Sequence, residues 1–320
     1  MTSVRKVRAS EVLPTDTVRV NGHVVVITRQ MRFAVQRTLA HARWHPIVVW
    51  TGYPGAGKTT AARWLASTFT GDTQGDPAGS ARHALILELG GSTVVGNGAD
   101  KRLMRALFEE VAGQISEATY RRSTADSLAA MLVEDLRAFG TQLLILDEAG
   151  RLSDVALDGI TLLRNKAEAV GVPLSIVLVG MGDLPGRVER IPQLRRRVVD
   201  TILFAQSELA DVRNMLLAWF PKEVERLGVD LNDAELLQAI ADVTQSLPGS
   251  ILPLMTKVFA FAVGEERAIS PEFVRRAAQA GTRDRAQAFE MRKNEYRPPE
   301  HRNATSTNSQ SRPKKLAASR

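Results

Sequence analysis

The chain has 320 residues, of which 44% are hydrophobic, 24% charged and only 5% aromatic, so it has the length for one large domain and a smaller companion around an aliphatic core. It contains no cysteine, which excludes disulfides, thiolate metal sites and cysteine nucleophiles and fits a reducing cytoplasm. No apolar run approaches the roughly 18 residues of a transmembrane helix. Of the net charge of +7, residues 292–320 hold eight Lys/Arg against two acids, so the body is nearly neutral and any polyanion surface on it must be a local patch.

Residues 1–28 read as an extended arm that lacks the apolar core of a secretory signal. A hairpin, Val18–Val20 with His23–Thr28, is expected around the turn dipeptide Asn21-Gly22. A helix follows over 29–42, then a short buried strand, Pro46–Thr51. Further aliphatic strands are expected at Ala84–Leu89, Gln142–Asp147, Leu174–Gly180 and Thr201–Phe204, each of the kind a parallel sheet buries on both faces. Helical patterns at Lys58–Phe69, Lys101–Ser116, Thr124–Phe139 and Ser153–Val170 separate them. This alternation predicts a three-layer α/β fold with a parallel sheet and crossover helices. After Ser207 the pattern is helical only, at about 208–227, 232–244, 249–264 and 270–290, with Asn232 and Ser270 as expected N-caps. The expected division is an arm and helix over 1–45, an α/β core over 46–206, a helical domain over 207–290 and a disordered basic tail over 291–320.

Two motifs carry chemistry. Gly52-Tyr53-Pro54-Gly55-Ala56-Gly57-Lys58-Thr59 fits G-x-x-x-x-G-K-[ST] between a buried strand and an amphipathic helix, the P-loop context. Glycines let backbone N–H groups face a phosphate, the helix N-terminus adds its dipole, Lys58 neutralises the outer phosphates, and Thr59 offers a hydroxyl to Mg²⁺; Thr60 extends the loop's contacts. Leu143–Asp147 then delivers Asp147 and Glu148 to the carboxyl edge of the sheet. Asp147 suits the hydration shell of Mg²⁺, and Glu148 suits orienting an attacking water. The expected chemistry is ATP hydrolysis. Ile176–Val179 should lie between these two strands, and at its tip Asp183 is the one candidate to sense the γ-phosphate or, alternatively, to cap the next helix. Among Arg195, Arg196 and Arg197, Arg197 is the favoured arginine finger, acting on a neighbouring subunit's nucleotide; the alternative is a basic helix end.

In this order the elements resemble an AAA+ ATPase over about 29–290, with a helical lid after the last strand. Two features depart from the commonest pattern: Ser246–Pro253 has Leu252 near the place of a lid arginine, and the Ile176 strand ends without Asn or Thr. The Pro248-Gly249-Ser250-Ile251-Leu252 lid start and the run Val179-Gly-Met-Gly-Asp-Leu184 resemble the DNA-transposition regulators of the phage Mu B and TniB/TnsC type. The resemblance implies a homo-oligomeric ring or filament assembled with ATP on duplex DNA, recruitment and stimulation of a transposase, a possible target-selecting adaptor, and hydrolysis for disassembly. Lys101, Arg102, Arg105, Arg121 and Arg122 lie in an extra helical stretch and are the candidate DNA contacts, with Ser92, Thr93 and Asn97 as neutral partners. A mixed-charge solvated face is the alternative. The other functional readings are an AAA+ remodeller of protein complexes, disfavoured because Gly90–Asp100 has no aromatic residue for a threading loop, and a nucleotide switch with incidental turnover.

Overall fold

The structure, a computed structural model, describes residues 17–20, 23–71, 83–89, 98–265 and 268–280. Ser92, Thr93, Asn97 and the basic tail lie outside them. By its internal contacts Met1–Ala278 is one compact unit, separate from Gln279–Arg320.

Strand β1 (Thr17–Val20) pairs antiparallel with β2 (His23–Val26), the expected hairpin. The chain then enters helix α1 (Arg29–Ala42), where the Thr28 hydroxyl accepts from the Met31 N–H at 3.2 Å and caps the first turn.

Five strands form the main sheet: β3 (Ile47–Gly52), β4 (His83–Glu88), β5 (Thr141–Asp147), β6 (Ser175–Val179) and β7 (Val198–Phe204). All neighbours pair in parallel, in the order β4-β5-β6-β3-β7. The helices are α2 (Lys58–Gly71), α3 (Ala99–Ala112), α4 (Glu117–Arg122), α5 (Ala125–Ala138), α6 (Asp154–Ala169), α7 (Leu184–Glu189) and α8 (Pro192–Arg195). Side chains alternate across the sheet. Val49, Leu144, Leu146, Ile176 and Leu178 pack against α3, α5 and α6. Val48, Trp50, Leu143, Ile145 and Val177 pack against α1 and α2. The result is a three-layer αβα arrangement.

Burial on both faces holds for β3 and β6 throughout and for β5 save Gln142, but not for the edges: β4 is half-buried along its length and β7 alternates. An edge strand has no second neighbour to cover it. Strand β7 also starts three residues before the aliphatic run, because Asp200 turns to Arg37 and His41 on α1 instead of interrupting the strand. The helix expected over 101–116 ends at Ala112, and a separate helix, α4, follows at 117–122, where none was expected. Gly113, at φ 85°, ends α3, and the Ser116 hydroxyl caps α4.

The helical part comprises α9 (Leu209–Trp219), α10 (Pro221–Arg226), α11 (Ala234–Thr244), α12 (Pro248–Glu265) and a further helix from 271. Pro221 divides the expected 208–227 helix, since it has no N–H to continue α9. Asp233, not Asn232, caps α11: its carboxylate accepts from the Glu235 and Leu236 N–H groups at 2.9 and 3.2 Å. The Ser270 hydroxyl does cap the next helix, accepting from the Phe273 N–H at 3.3 Å. Val212, Leu216, Ile240, Ile251 and Val258 form this lid's own core, which Val26 of β2 joins. No single helix among the described residues is long and apolar enough to cross a membrane.

Candidate functional site

The phosphate loop leaves the carboxyl end of β3, the edge where ligands bind in open parallel sheets. Gly52 stands at φ 143°, and a Cβ there would lie 2.1 Å from the Phe204 carbonyl oxygen of β7, so no other residue fits. The loop then turns through Gly55 (φ 77°) into α2, which starts at Lys58. Tyr53, Pro54 and Gly55 are exposed, Ala56 is buried, and Gly57, Lys58, Thr59 and Thr60 are half-buried. Lys58 Nζ donates to the carbonyls of Gly52 (3.0 Å) and Tyr53 (2.8 Å), which holds the amine at the mouth of its own loop. Burial pushes the Lys58 amine below the usual lysine range, opposed by the Asp147 and Glu148 carboxylates.

Those carboxylates arrive on β5. Asp147 is 4% exposed, and its Oδ1 accepts from the Glu148 N–H at 2.9 Å. Its Oδ2 has no hydrogen bond to a described group. Together with the Thr59 hydroxyl on the first turn of α2, it gives two oxygen donors of the kind a hard cation such as Mg²⁺ takes. Glu148 sits in the left-handed region at φ 60°, ψ 29°, a conformation rare outside glycine, and its carboxylate is 3.3 Å from Arg151 Nε at the surface. Strand β6 separates β5 from β3, as expected from the sequence. Its tip is tied to the loop strand: the Gly180 N–H donates to the Trp50 carbonyl at 2.9 Å and the Thr51 hydroxyl to the Met181 carbonyl at 2.8 Å.

These pieces meet in one open cleft of about 410 Å³, lined by Gly55, Lys58, Thr59, Asp147, Glu148 and, from the lid, Trp219, Pro248, Gly249 and Leu252. The lid touches the phosphate loop directly. The Gly249 N–H donates to the Gly55 carbonyl at 2.9 Å, and a Cβ on Gly249 would lie 2.9 Å from Gly55 Cα. A smaller apolar hollow of about 200 Å³ continues the cleft. It is walled by Val24–Val26 of β2, Met31 of α1, Met215 and Trp219 of α9, and Pro248 and Leu252 of α12, and it shares Gly57 and Thr60 with the phosphate side. A polar, cationic pocket joined to an apolar one matches a phosphorylated ligand with a flat apolar end.

The structure thus brings the phosphate loop, Asp147 and Glu148 together and places other sequence candidates elsewhere. Asp183 is exposed and does not line the cleft; the strand tip contributes Gly180 and Met181. Asp183 occupies the N-cap position of α7 without a capping hydrogen bond, and its carboxylate flanks Gly150. Arg197 lies at the amino edge of the sheet, opposite the cleft: its carbonyl accepts from the Ile47 N–H at 3.3 Å and its guanidinium pairs with Glu168 at 2.8 Å. The Arg197 hydrogen bond holds the Glu168 carboxyl below its ordinary range. Arg195 pairs with Glu189 at 3.3 Å, and Arg196 is exposed without an ion pair among the described residues.

The candidate DNA contacts do cluster. Lys101 Nζ and Arg105 Cζ lie 4.6 and 4.5 Å from the centroid of the Tyr120 ring, and Lys101 Nζ donates to the Arg121 carbonyl at 3.4 Å. Much of the charge is answered locally. Arg105 pairs with Glu109 (2.8 Å) and Glu117 (3.1 Å), and Arg121 with Glu117 (3.0 Å). Arg122 is exposed and makes no ion pair with a described residue, and Arg102 is half-buried.

Tyr120 was not a sequence candidate, nor were Val24–Val26, Met31, Met215 and Trp219 of the apolar hollow. Trp219, within the apolar run Leu216–Phe220, is a cleft wall. Trp44, beside His45-Pro46 on the approach to β3, is 69% exposed.

The sheet order, the loop after β3, the acidic end of β5 and the lid over the cleft define a P-loop AAA+ fold, and residues 43–188 match the family model described as an AAA domain. The chain is similar to the Aeropyrum pernix ORC2 protein in its ADPNP-ADP complexes, with 19% identity and a TM-score of 0.55 over 78% of this chain and 66% of that chain. It is also similar to Cdc6p from Pyrobaculum aerophilum (18% identity, TM-score 0.55, 84% of this chain and 69% of that chain). A third likeness is to the Aeropyrum pernix ORC1 protein in complex with DNA (16% identity, TM-score 0.53, 81% of this chain and 67% of that chain). The chain therefore spans about two thirds of the length of these structures. No protein of curated function matches it significantly in sequence.

Proposed function

We propose that this protein is an ATP-dependent, DNA-binding AAA+ regulator of DNA transposition, working in the cytoplasm as a homo-oligomer on duplex DNA. The observation that carries the nucleotide reading is the continuity of the cleft: Lys58, Thr59, Asp147 and Glu148 line a pocket that opens into an apolar hollow suited to a nucleobase. In this reading Gly52–Gly57 cradle the phosphates, Lys58 leaves the Gly52 and Tyr53 carbonyls to meet the outer phosphates, and Glu148 leaves Arg151 to hold the attacking water. Thr59 and Asp147 would hold Mg²⁺, which would supply positive charge against the phosphates. Arg197 releases Glu168 on assembly and reaches the neighbouring subunit's nucleotide, since it lies across the sheet from its own cleft.

Lys101, Arg102, Arg105, Arg121 and Arg122 supply phosphate contacts, each weak alone and summed along an oligomer. The transposition role, with recruitment of a transposase and a target-selecting adaptor, rests on the resemblance of the lid start and the β6 tip to the Mu B and TniB/TnsC type. The DNA reading has support from the similar ORC1 structure, which is a complex with DNA. Electron microscopy with duplex DNA and a non-hydrolysable ATP analogue tests it. Rings or filaments that need both ligands are expected. Nucleotide-dependent rings indifferent to DNA point instead to a protein remodeller, and monomers in every condition remove the trans-acting arginine.

A further inference from the structure

Glu148 holds a left-handed backbone with an ordinary side chain, so something outside the residue must keep it there. The turn that follows is short. The Arg151 N–H donates to the Glu148 carbonyl at 2.9 Å and the Leu152 N–H to the Ala149 carbonyl at 3.1 Å, after which the Ser153 hydroxyl caps α6. The carbonyls of Gly150 and Leu152 have no helical partner in this turn, and both are taken by one side chain. Arg187, on α7, donates through Nη1 to the Gly150 carbonyl (2.7 Å), through Nη2 to the Leu152 carbonyl, and through Nε and Nη2 to Asp154 Oδ1 (3.0 and 2.8 Å). Its side chain is 15% exposed. All three guanidinium nitrogens are committed to the turn and to the first residue of α6, in the forked geometry only arginine provides. On the other side the turn is blocked by the β6 tip: a Cβ on Gly180 would lie 3.0 Å from the Gly150 nitrogen.

We propose that Arg187 is a positioning residue for Glu148: it clamps the turn after β5 and keeps Glu148 in the left-handed conformation at the cleft edge, from where its carboxylate can swing from Arg151 to the phosphate side. It does not line the cleft. The inference rests on the hydrolysis reading above, in which Glu148 orients water. Because α7 follows the β6 tip, the clamp also joins the outgoing segments of the two strands.

The test is steady-state ATP hydrolysis and calorimetric nucleotide binding by the full chain and by R187A, R187K, E148Q and R187A/E148Q. R187A is expected to lower kcat by about ten- to a hundredfold while nucleotide affinity stays within about twofold, the split expected of a lost transition-state interaction. R187K, which keeps the charge but donates from one atom and cannot serve both carbonyls, should fall between. On the E148Q background R187A should add nothing further, since the group it positions is gone. Full kcat in R187A or R187K beside an active wild type overturns the inference. So does a loss of nucleotide affinity that keeps step with kcat, which makes Arg187 merely structural, or an additive double variant. Should R187A fail to fold, R187K alone carries the same test. A wild type that binds nucleotide and never turns it over, even when assembled on DNA, overturns the hydrolysis reading itself.

Discussion

The two halves of the cleft are built by different rules. The phosphate half comes from two short stretches, Gly52–Thr60 and Asp147–Glu148, and its walls are loop backbone, a lysine and carboxylates. The apolar half is assembled from β2, α1, α9 and α12, some 230 residues apart at the extremes, and of its walls outside the phosphate loop only Pro248 and Leu252 fall in a run the sequence singles out. The phosphate half requires particular atoms at particular places, which fixes residue types over a few positions. The apolar half requires only a shape lined with carbon, which many residues at many positions can supply. In the nucleotide reading, ligand charge is thus met by local sequence and ligand shape by tertiary structure.

If that division is right, substitutions on the two sides should separate. The largest effect is expected at Glu148, whose carboxylate lies at the cleft edge. E148Q should reduce ATP turnover by roughly 10²–10⁴-fold with nucleotide binding kept, and it should lengthen the lifetime of the assembly on DNA. Faster dissociation from DNA than wild type, measured after a nucleotide chase, contradicts the switch that hydrolysis is meant to drive. Next is Lys58, which exchanges its two carbonyl partners for phosphate. K58A should weaken binding of ATP and of inorganic tripolyphosphate alike, each by about ten- to a hundredfold, and prevent assembly. Titration calorimetry with both ligands checks this, and an unchanged tripolyphosphate affinity would move the phosphates elsewhere.

Gly249 lies on the seam. G249A places a methyl 2.9 Å from Gly55 Cα and has to push the lid off the loop, so both ligands should lose about tenfold, and normal affinity would mean that the lid yields freely. The smallest effect should be the most one-sided. L252A trims the apolar hollow, and ATP affinity should drop about three- to tenfold while tripolyphosphate binding is untouched. Equal losses for the two ligands would erase the distinction between the halves.

The same division explains what was legible in the sequence. The inner strands, the place of β6 between β5 and β3 and the phosphate loop could be read, because a buried parallel strand, a glycine turn and an amphipathic helix leave contiguous signatures, and β3, β5 and β6 lie within a residue or so of their aliphatic runs. Signals that depend on a distant partner were misread. The strand expected at Thr201–Phe204 starts earlier, at Val198, because Asp200 is met by Arg37 and His41 of α1. Neighbouring polar residues competed for the α11 cap, and Asp233 rather than Asn232 has the carboxylate in reach of two free N–H groups. The basic residues around Lys101 suggested an open patch, yet Glu109, Glu117 and the Tyr120 ring already occupy part of it, and only folding brings α3 and α4 together. The role of Trp219 was hidden because an indole at the end of an apolar helix reads the same whether it faces a core or a cleft.

That indole has an optical consequence. Of the four tryptophans, Trp50 is wholly buried and donates to the Thr38 hydroxyl, Trp44 stands in solvent, and Trp64 packs beside the sheet's second layer. Only Trp219 borders both the phosphate cleft and the apolar hollow. In the proposed reading a nucleobase entering the hollow would displace water from that ring and change its emission, while Trp50, buried in the core, would report the fold. The chain therefore carries an intrinsic fluorophore at the meeting point of its two half-sites, and occupancy can be followed in real time without a label.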